Sequence, residues 1–510
     1  MSEKGKIVRN TFFLYVRMLL IMGVSLYTSR VILRVLGIDD FGIYNVVGGI
    51  VTMFTFLNGS LSAATSRYIT FELGRGREGR ANEVFNVALL IHLALSFIIV
   101  LLSETVGLWF FYEKMNIPPE RLHAAFIVYQ ISVVTTFVSV TQVPYNAMII
   151  AHENMSVYAY VGIFEAFGKL GIALILAHSP IDRLVFYALL LCALQVSVMV
   201  FYRLYCGRHF KETSLKLYRD KTLYKEMFSY AGSDLIGQLS IMAQGQGLNL
   251  LLNVFFGPAV NAARAIAYQV QGIVTQFSNN FMTAVKPQII KRYADGRPDD
   301  MMKLVRTSSK FSYYLMWLIV LPVMLESDYL LKLWLGEYPE YTVQFLRLVL
   351  LLCLIQTLKS PRTTAYHATG HIRRVNLIVG TILCCALPLG YVFLKSGFRA
   401  ESVFWAAIIS MLVSELVSVL ILKRYVRYSA VSYVLDVHFR CAAVSAVSVI
   451  IPLLYMSYAG ESGAWRLVIT CAVTALSSLL TIWTIGLDTE MRGRVKEFIK
   501  NRFCTHGRKI

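Results

Sequence analysis

Runs of about 20 predominantly apolar residues recur along the whole chain, each long enough to cross about 30 Å of hydrocarbon as an α-helix. No other feature limits the fold so tightly. Strand-type alternation is absent from these runs. Backbone polar groups in lipid must be satisfied internally, so helices rather than a barrel are expected. About fourteen spans are predicted, near 10–36, 40–70, 81–111, 121–150, 155–178, 182–204, 224–255, 259–287, 306–334, 341–367, 373–395, 401–423, 434–457 and 464–486. Composition agrees: 56% of the 510 residues are hydrophobic and 15% charged, against about 45–50% and 25% in soluble domains. Lys4, Lys6 and Arg9 precede the first run as in a signal peptide. That run continues to Leu36 without a small-residue cleavage site, so a retained first helix is expected.

Loop charge tests the count independently. With the N-terminus inside, inner segments collect Arg75, Arg77 and Arg80, then 203–225, 286–306, Arg373 and Arg374, then Lys423 to Arg427, and the tail from Arg492. Outer loops hold only Lys114, Arg121, Arg183, Lys395, Arg399 and Arg466. The ratio is about thirty to about six, and the alternation never breaks, as the positive-inside rule requires. Both termini are therefore expected in the cytoplasm. The net charge of +19 is explained by these short segments, so no nucleic-acid partner is expected. Eight cysteines occur without a CxxC, and none falls in a predicted outer loop, so neither disulfides nor zinc are expected. With no nucleotide loop or nucleophile motif either, no cofactor and no enzymatic chemistry are expected.

The basic segment 205–223 separates two groups of six spans. Across it, PYNAMIIA from Pro144 and PRTTAYHA from Pro361 share one proline-to-alanine spacing at an offset of about 217. The stretch from Leu36 to Arg77 aligns with Phe256 to Arg297 at an offset of about 220, pairing Gly37 with Gly257. Pro144 and Pro361 are candidate helix bends. A parallel repeat is predicted: 1–204 as a first lobe, 205–223 as a linker, 224–426 as a second lobe, and 427–510 as two further spans with a basic tail.

A charge in hydrocarbon costs about 2.5–3.5 kcal/mol even on the lenient insertion scale, so each needs a reason. Arg17 and Arg30 lie in span one, Arg67 in span two, and Arg264 and Lys286 in span eight. Plain structural readings exist: Arg67 and Lys286 snorkel to the interface, as Arg17 also can, and Arg30 pairs with Asp39 or Asp40. Taken together, the five cations predict a cavity suited to phosphate, which guanidinium groups bind in bidentate fashion. Asp234 in span seven, and more weakly Glu415 in span twelve, are candidates for proton or sodium coupling. Glu165 and Lys169 read as a structural pair four residues apart, and His92 as a packed polar residue.

NTFFLYVRMLLIMGVSLYTSRVILRVLGIDDFGIYNVVGGIV, then ATSRYITFELGRG and VPYNAMIIAHENM, resemble the Wzx-like polysaccharide-export flippases of the multidrug/oligosaccharidyl-lipid/polysaccharide flippase superfamily. The likeness is most specific over the first 155 or so residues. It implies an all-α integral membrane fold of two six-helix lobes in a V around a central cavity, here with two extra C-terminal helices. It implies an undecaprenyl-pyrophosphate-linked oligosaccharide substrate, flipped across a bacterial inner membrane for surface polysaccharide synthesis. It also implies a polymerase and glycosyltransferases as partners, and cationic cavity residues on the helices that carry Arg30, Arg67 and Arg264. The extra helix pair resembles the lipid II flippase branch, which keeps peptidoglycan precursor as an alternative cargo. A multidrug exporter should have an acid-lined cavity, and a membrane glycosyltransferase or polymerase a large outer loop. The excess of intramembrane arginines argues against the first, and outer loops of about ten residues or fewer rank the second low.

Overall fold

The computed structural model describes residues 3–55, 58, 61–62, 65, 68–69, 71–73, 80–152, 154–218, 220–369, 372–459, 463–489 and 491–493. Among these every regular element is helical. In chain order the principal helices are α1 (Glu3–Met53), α2 (Ala81–Leu102), α3 (Leu122–Ala151), α4 (Met155–Ile175), α5 (Arg183–His209), α6 (Lys221–Met242), α7 (Pro258–Ala294) and α8 (Pro298–Leu325). They continue as α9 (Ser327–Leu335), α10 (Thr342–Thr369), α11 (Arg374–Lys395), α12 (Ser402–Leu422), α13 (Ala430–Tyr458) and α14 (Ala464–Gly486).

Eleven helices among the described residues are long and apolar enough to cross a bilayer. About fourteen spans were expected. Span two runs from α1 into positions 56–79, most of which lie outside the described set. Spans seven and eight are helical, but Gln244, Gln246, Asn249, Asn253, Asn261 and Arg264 dilute their apolar windows.

The turn expected between spans one and two is present inside α1, where Gly37 adopts φ 82° and ψ 175°. Gly257, its repeat partner, adopts φ 82° and ψ −172° just before α7. This region of backbone space is essentially closed to residues with a Cβ. The paired glycines therefore make the same turn for the same steric reason. The turns also approach each other: a Cβ on Gly42 would strike the Pro258 carbonyl oxygen.

Packing divides the chain into two compact units. The first comprises Met1–Ile266, Trp334–Phe345 and Asn376–Ser410. Its core is built from helix faces. Ile43, Val46, Val47 and Ile50 of α1 recur at i, i+3, i+4 and i+7, and pack with Val128 and Tyr129 of α3 and Leu184 and Ala188 of α5. A second cluster joins Val84, Ala88 and Ile91 of α2 to Met148 of α3 and Val198 and Tyr202 of α5. The other faces of these helices expose large apolar side chains, Phe97 at 61% and Leu101 at 63%. Water would penalise such faces, whereas lipid tails do not.

Ion pairs fasten the helix ends of this unit. Arg121 grips Asp40 through both carboxylate oxygens, at 2.8 and 2.6 Å, and reaches Asp182 at 2.6 Å. Asp40 is thus held by Arg121, not by Arg30. At Asp182 partial burial raises the carboxyl pKa, but hydrogen bonds from Arg121 and the Val185 and Leu184 amides outweigh it and leave the value lowered. Elsewhere Asp220 caps α6 through the Thr222 and Leu223 amides and pairs with Arg80 at 2.8 Å. These hydrogen bonds, Arg80's foremost, hold its carboxyl below the usual range.

The second unit comprises Ala267–Leu333, Leu346–Val375 and Met411–Ile510. Here α13 and α14, expected as an appendage, are stitched to α8 by polar contacts at several levels. Glu326, just past α8, accepts from Arg466 at 2.8 and 3.1 Å and from Thr470 at 2.8 Å. Midway, Trp317 donates to Ser448 at 2.8 Å, and Tyr313 meets Ser445 at 2.8 Å. Towards the other end, Lys310 lies 3.0 Å from both Asp436 and Asp488, and Arg440 pairs with the same two carboxylates.

Candidate functional site

Three of the helical paths contain a π-turn that ends in glycine: Ser103–Gly107 after α2, Ala243–Gly247 after α6, and Ile482–Gly486 closing α14. A π-turn shifts the hydrogen-bond ladder by one residue, and such turns are frequent at functional sites. In each of the three, a side chain from another helix donates to a carbonyl of the turn. Tyr129 donates to Ser103 at 2.6 Å, Arg264 to Gly245 at 2.6 Å, and Tyr314 to Gly486 at 3.2 Å. The second is the one that holds a charge.

Arg264 is 7% exposed, in the outer part of span eight. The polar surroundings come from spans seven and eight in the first unit. Asn261 donates to the Asn249 carbonyl at 2.7 Å and to its side-chain oxygen at 2.8 Å. Asn253 donates to Asn261 at 3.1 Å and accepts from the Asn116 amide at 2.9 Å. Gly49 faces Gln246 and Asn249, where a Cβ would come within 3.0 Å of both side chains. The asparagines were not singled out from sequence, although Asn249 and Asn253 stand four apart on one helix and Asn261 near the start of the next.

The other predicted cations stand differently. Arg30 on α1 and Lys286 on α7 are exposed. Arg67 lies outside the described residues, as do the side chains of Arg17 and Asp234. Pro144 and Pro361 lie buried inside continuous helices, each near the C-terminal end. Proline there removes one backbone donor without ending the helix. Glu165 and Lys169 form the expected pair at 2.6 Å, and buried His92 meets the Ala88 carbonyl at 2.8 Å.

Glu415 of α12 is 2% exposed and lies 2.5 Å from Arg362 of α10, itself fully buried. The approach is an ion pair rather than a directed hydrogen bond, because Glu415 Oε2 and both terminal nitrogens of Arg362 have no hydrogen-bond partner. Arg362 Nε donates to Ser418 at 3.0 Å, and His438 of α13 approaches the other Glu415 oxygen at 3.2 Å. Arg362 also faces the Tyr433 ring at 5.8 Å. The network ties three transmembrane helices together. Sequence reading missed Arg362 because it stands beside Pro361 at a span end, inside a segment read only as a repeat mark.

The second unit also contains a cavity of about 210 Å³ lined by uncharged polar side chains. Gln271, Thr275 and Ser278 of α7 fall at i, i+4 and i+7, and Gln356, Thr357 and Ser360 of α10 supply the facing stripe. Such a surface offers hydrogen-bond donors and acceptors without fixed charge, which suits a hydroxyl-rich ligand.

A family model described as polysaccharide biosynthesis protein matches residues 7–292, more than half of the chain. No curated protein matches the sequence. The fold is similar to the inward-facing conformation of a multidrug resistance MATE family transporter of the MOP superfamily, with TM-score 0.67, 15% identity, 80% of this chain covered and 97% of that one. It is also similar to the lipid II flippase MurJ in an inward closed conformation, with TM-score 0.65, 12% identity and coverage of 92% and 98%. A MOP superfamily transporter from Pyrococcus furiosus gives TM-score 0.60 at 14% identity, over 82% of this chain and 94% of that one. At such identities the likeness establishes the fold and not the cargo. This multi-pass membrane protein therefore belongs to the polysaccharide biosynthesis protein family and has the fold of MOP-superfamily transporters.

Proposed function

We propose that the chain is a flippase for an undecaprenyl-pyrophosphate-linked oligosaccharide, acting in a bacterial inner membrane with both termini in the cytoplasm. Its substrate head combines sugar hydroxyls with pyrophosphate, and neither crosses hydrocarbon unaided. The reading rests first on Arg264, a cation buried in a membrane helix of a polysaccharide biosynthesis protein. The uncharged cavity of α7 and α10 supports it, since hydroxyl-rich groups bind such surfaces without burying an unpaired charge. Arg30, and with it Arg17, Arg67 and Lys286, complete the proposed cationic path.

We assign the spans as six, six and two, with the repeated halves rocking between two states of similar free energy. An inside-negative potential favours outward movement of the pyrophosphate by about 2.3 kcal/mol per charge per 100 mV. Proton or sodium exchange at Asp234 is the other candidate drive. Glu415 is less suited to that role, because its carboxylate is already engaged by Arg362. The polymerase and the glycosyltransferases of the same polymer are the proposed partners. Lipid II is the second cargo to consider, because the likeness to the lipid II flippase extends over 92% of this chain.

The experiment compares Arg30→Ala, Arg264→Ala and Asp234→Asn in cells that depend on this chain. Surface polysaccharide should fall in both arginine variants while protein in the membrane is unchanged, and Asp234→Asn should alter the response to pH or sodium. Wild-type polysaccharide in both arginine variants would refute the cationic path. An unaltered response in Asp234→Asn would leave the potential as the drive.

A further inference from the structure

A second cationic feature lies apart from the arginines discussed so far. At the helix ends that the loop charges assign to the cytoplasm, the second unit has an open pocket of about 540 Å³. Its lining includes Lys310, Asp436 and Asp488, and Arg440 pairs with the same two carboxylates. Its rim carries Arg292, Arg297, Lys303 and Arg306. Arg297 is paired with Asp295 at 2.7 Å and Lys303 stands 4.0 Å from Asp300. The other two are half-buried and bound to neutral groups: Arg292 donates to the Asp300 carbonyl at 3.0 Å, and Arg306 to the Ser432 hydroxyl at 3.2 Å. Among the described residues, neither meets a carboxylate within ion-pair distance. Among the described residues, the pocket thus holds two guanidinium groups with no carboxylate partner.

The mouth of the pocket identifies the source of the missing anion. Ser432 and Asp436 face it from α13. Val431, Leu435 and Phe439, each next in sequence to one of Ser432, Asp436 and Arg440, are 70%, 57% and 67% exposed. An apolar stripe therefore runs along α13, the helix whose Ser432 accepts from the rim residue Arg306. A free phosphate has no use for such a stripe, whereas a lipid has both a charged head and a tail.

We propose that this pocket binds the phosphate of an anionic bilayer phospholipid between Arg292 and Arg306, with an acyl chain along Val431, Leu435 and Phe439. Guanidinium groups suit phosphate oxygens. The site does not depend on the flippase reading, and it ties the α13–α14 pair to the membrane surface. The test is native mass spectrometry of the full chain released from nanodiscs of equal phosphatidylglycerol and phosphatidylcholine. Wild-type protein should retain phosphatidylglycerol preferentially. Each basic side chain near an anionic surface contributes about five-fold in affinity, so Arg292→Gln with Arg306→Gln should cut the preference by about thirty-fold. Glycerol phosphate and inorganic phosphate should not displace the lipid. Equal retention of the two lipids by wild type overturns the proposal, a result that does not depend on how the variant folds. Undiminished preference in a folded double variant overturns it as well. Displacement by inorganic phosphate would make the pocket a free-anion site, and displacement by a short prenyl pyrophosphate would assign it to the substrate; either refutes a bilayer phospholipid as occupant.

Discussion

The charges buried in this protein are of two kinds, and they should respond differently to substitution. Arg264 donates to a backbone carbonyl on a π-turn, whereas Arg362 is locked against Glu415 in the interior of the second unit. Breaking a buried ion pair leaves one charge stranded, at a cost of about 3–5 kcal/mol, while replacing both members with apolar groups is often neutral. Arg362→Met alone, and Glu415→Leu alone, should therefore lower the thermal midpoint in detergent sharply. The double variant should recover most of the loss. A double variant as unstable as the sum of the singles would show that the pair is not coupled. Much of this chemistry was legible from sequence one residue at a time. Arg264 interrupts NAARAIAY and announces itself, and so does Glu415 within an apolar run. Arg362 did not, because it stands near the end of the predicted span 341–367, beside Pro361 in a segment read as a repeat mark. Its partner lies 53 positions away, and no local spacing predicts that pairing.

Helices were legible because a membrane span must be apolar for about 20 residues whatever it packs against. Their irregularities were not. The turn at Gly37 and its counterpart at Gly257 could be paired by offset, and both adopt a conformation that favours glycine. The π-turns at Ser103–Gly107, Ala243–Gly247 and Ile482–Gly486 differ from α-helix by one residue in register, and their terminal glycine is too common a signal to single them out. The first offers a direct test. Tyr129 donates to the Ser103 carbonyl, and a Cβ on Gly107 would collide with that same hydroxyl. Gly107→Ala should destabilise the wild-type protein. Tyr129→Phe should cost about 0.5–1.5 kcal/mol for the hydrogen bond it removes, because the Ser103 carbonyl keeps the Leu108 amide as a donor. Together they should cost less than their sum, since removing the hydroxyl removes the collision. Thermal midpoints in detergent for the two singles and the double decide it, and strict additivity would contradict the geometry.

At the scale of the whole molecule, family and fold were readable from the first 155 or so residues, and the match over 7–292 falls on that region. The attachment of α13 and α14 was not readable. It rests on pairs such as Glu326 with Arg466, separated by 140 positions, and on Lys310, which lies 126 and 178 positions from its partners Asp436 and Asp488. What the assembled protein does is tested most directly by reconstituting it in sealed vesicles with a prenyl-pyrophosphate-linked oligosaccharide. The quantity to follow is the fraction of sugar that a membrane-impermeant glycosidase can reach. Wild-type protein should expose the fraction shielded in the inner leaflet, and Arg264→Ala should leave it shielded. Exposure no faster than in empty vesicles, or equally fast with Arg264→Ala, would contradict a flippase that works through a buried cation.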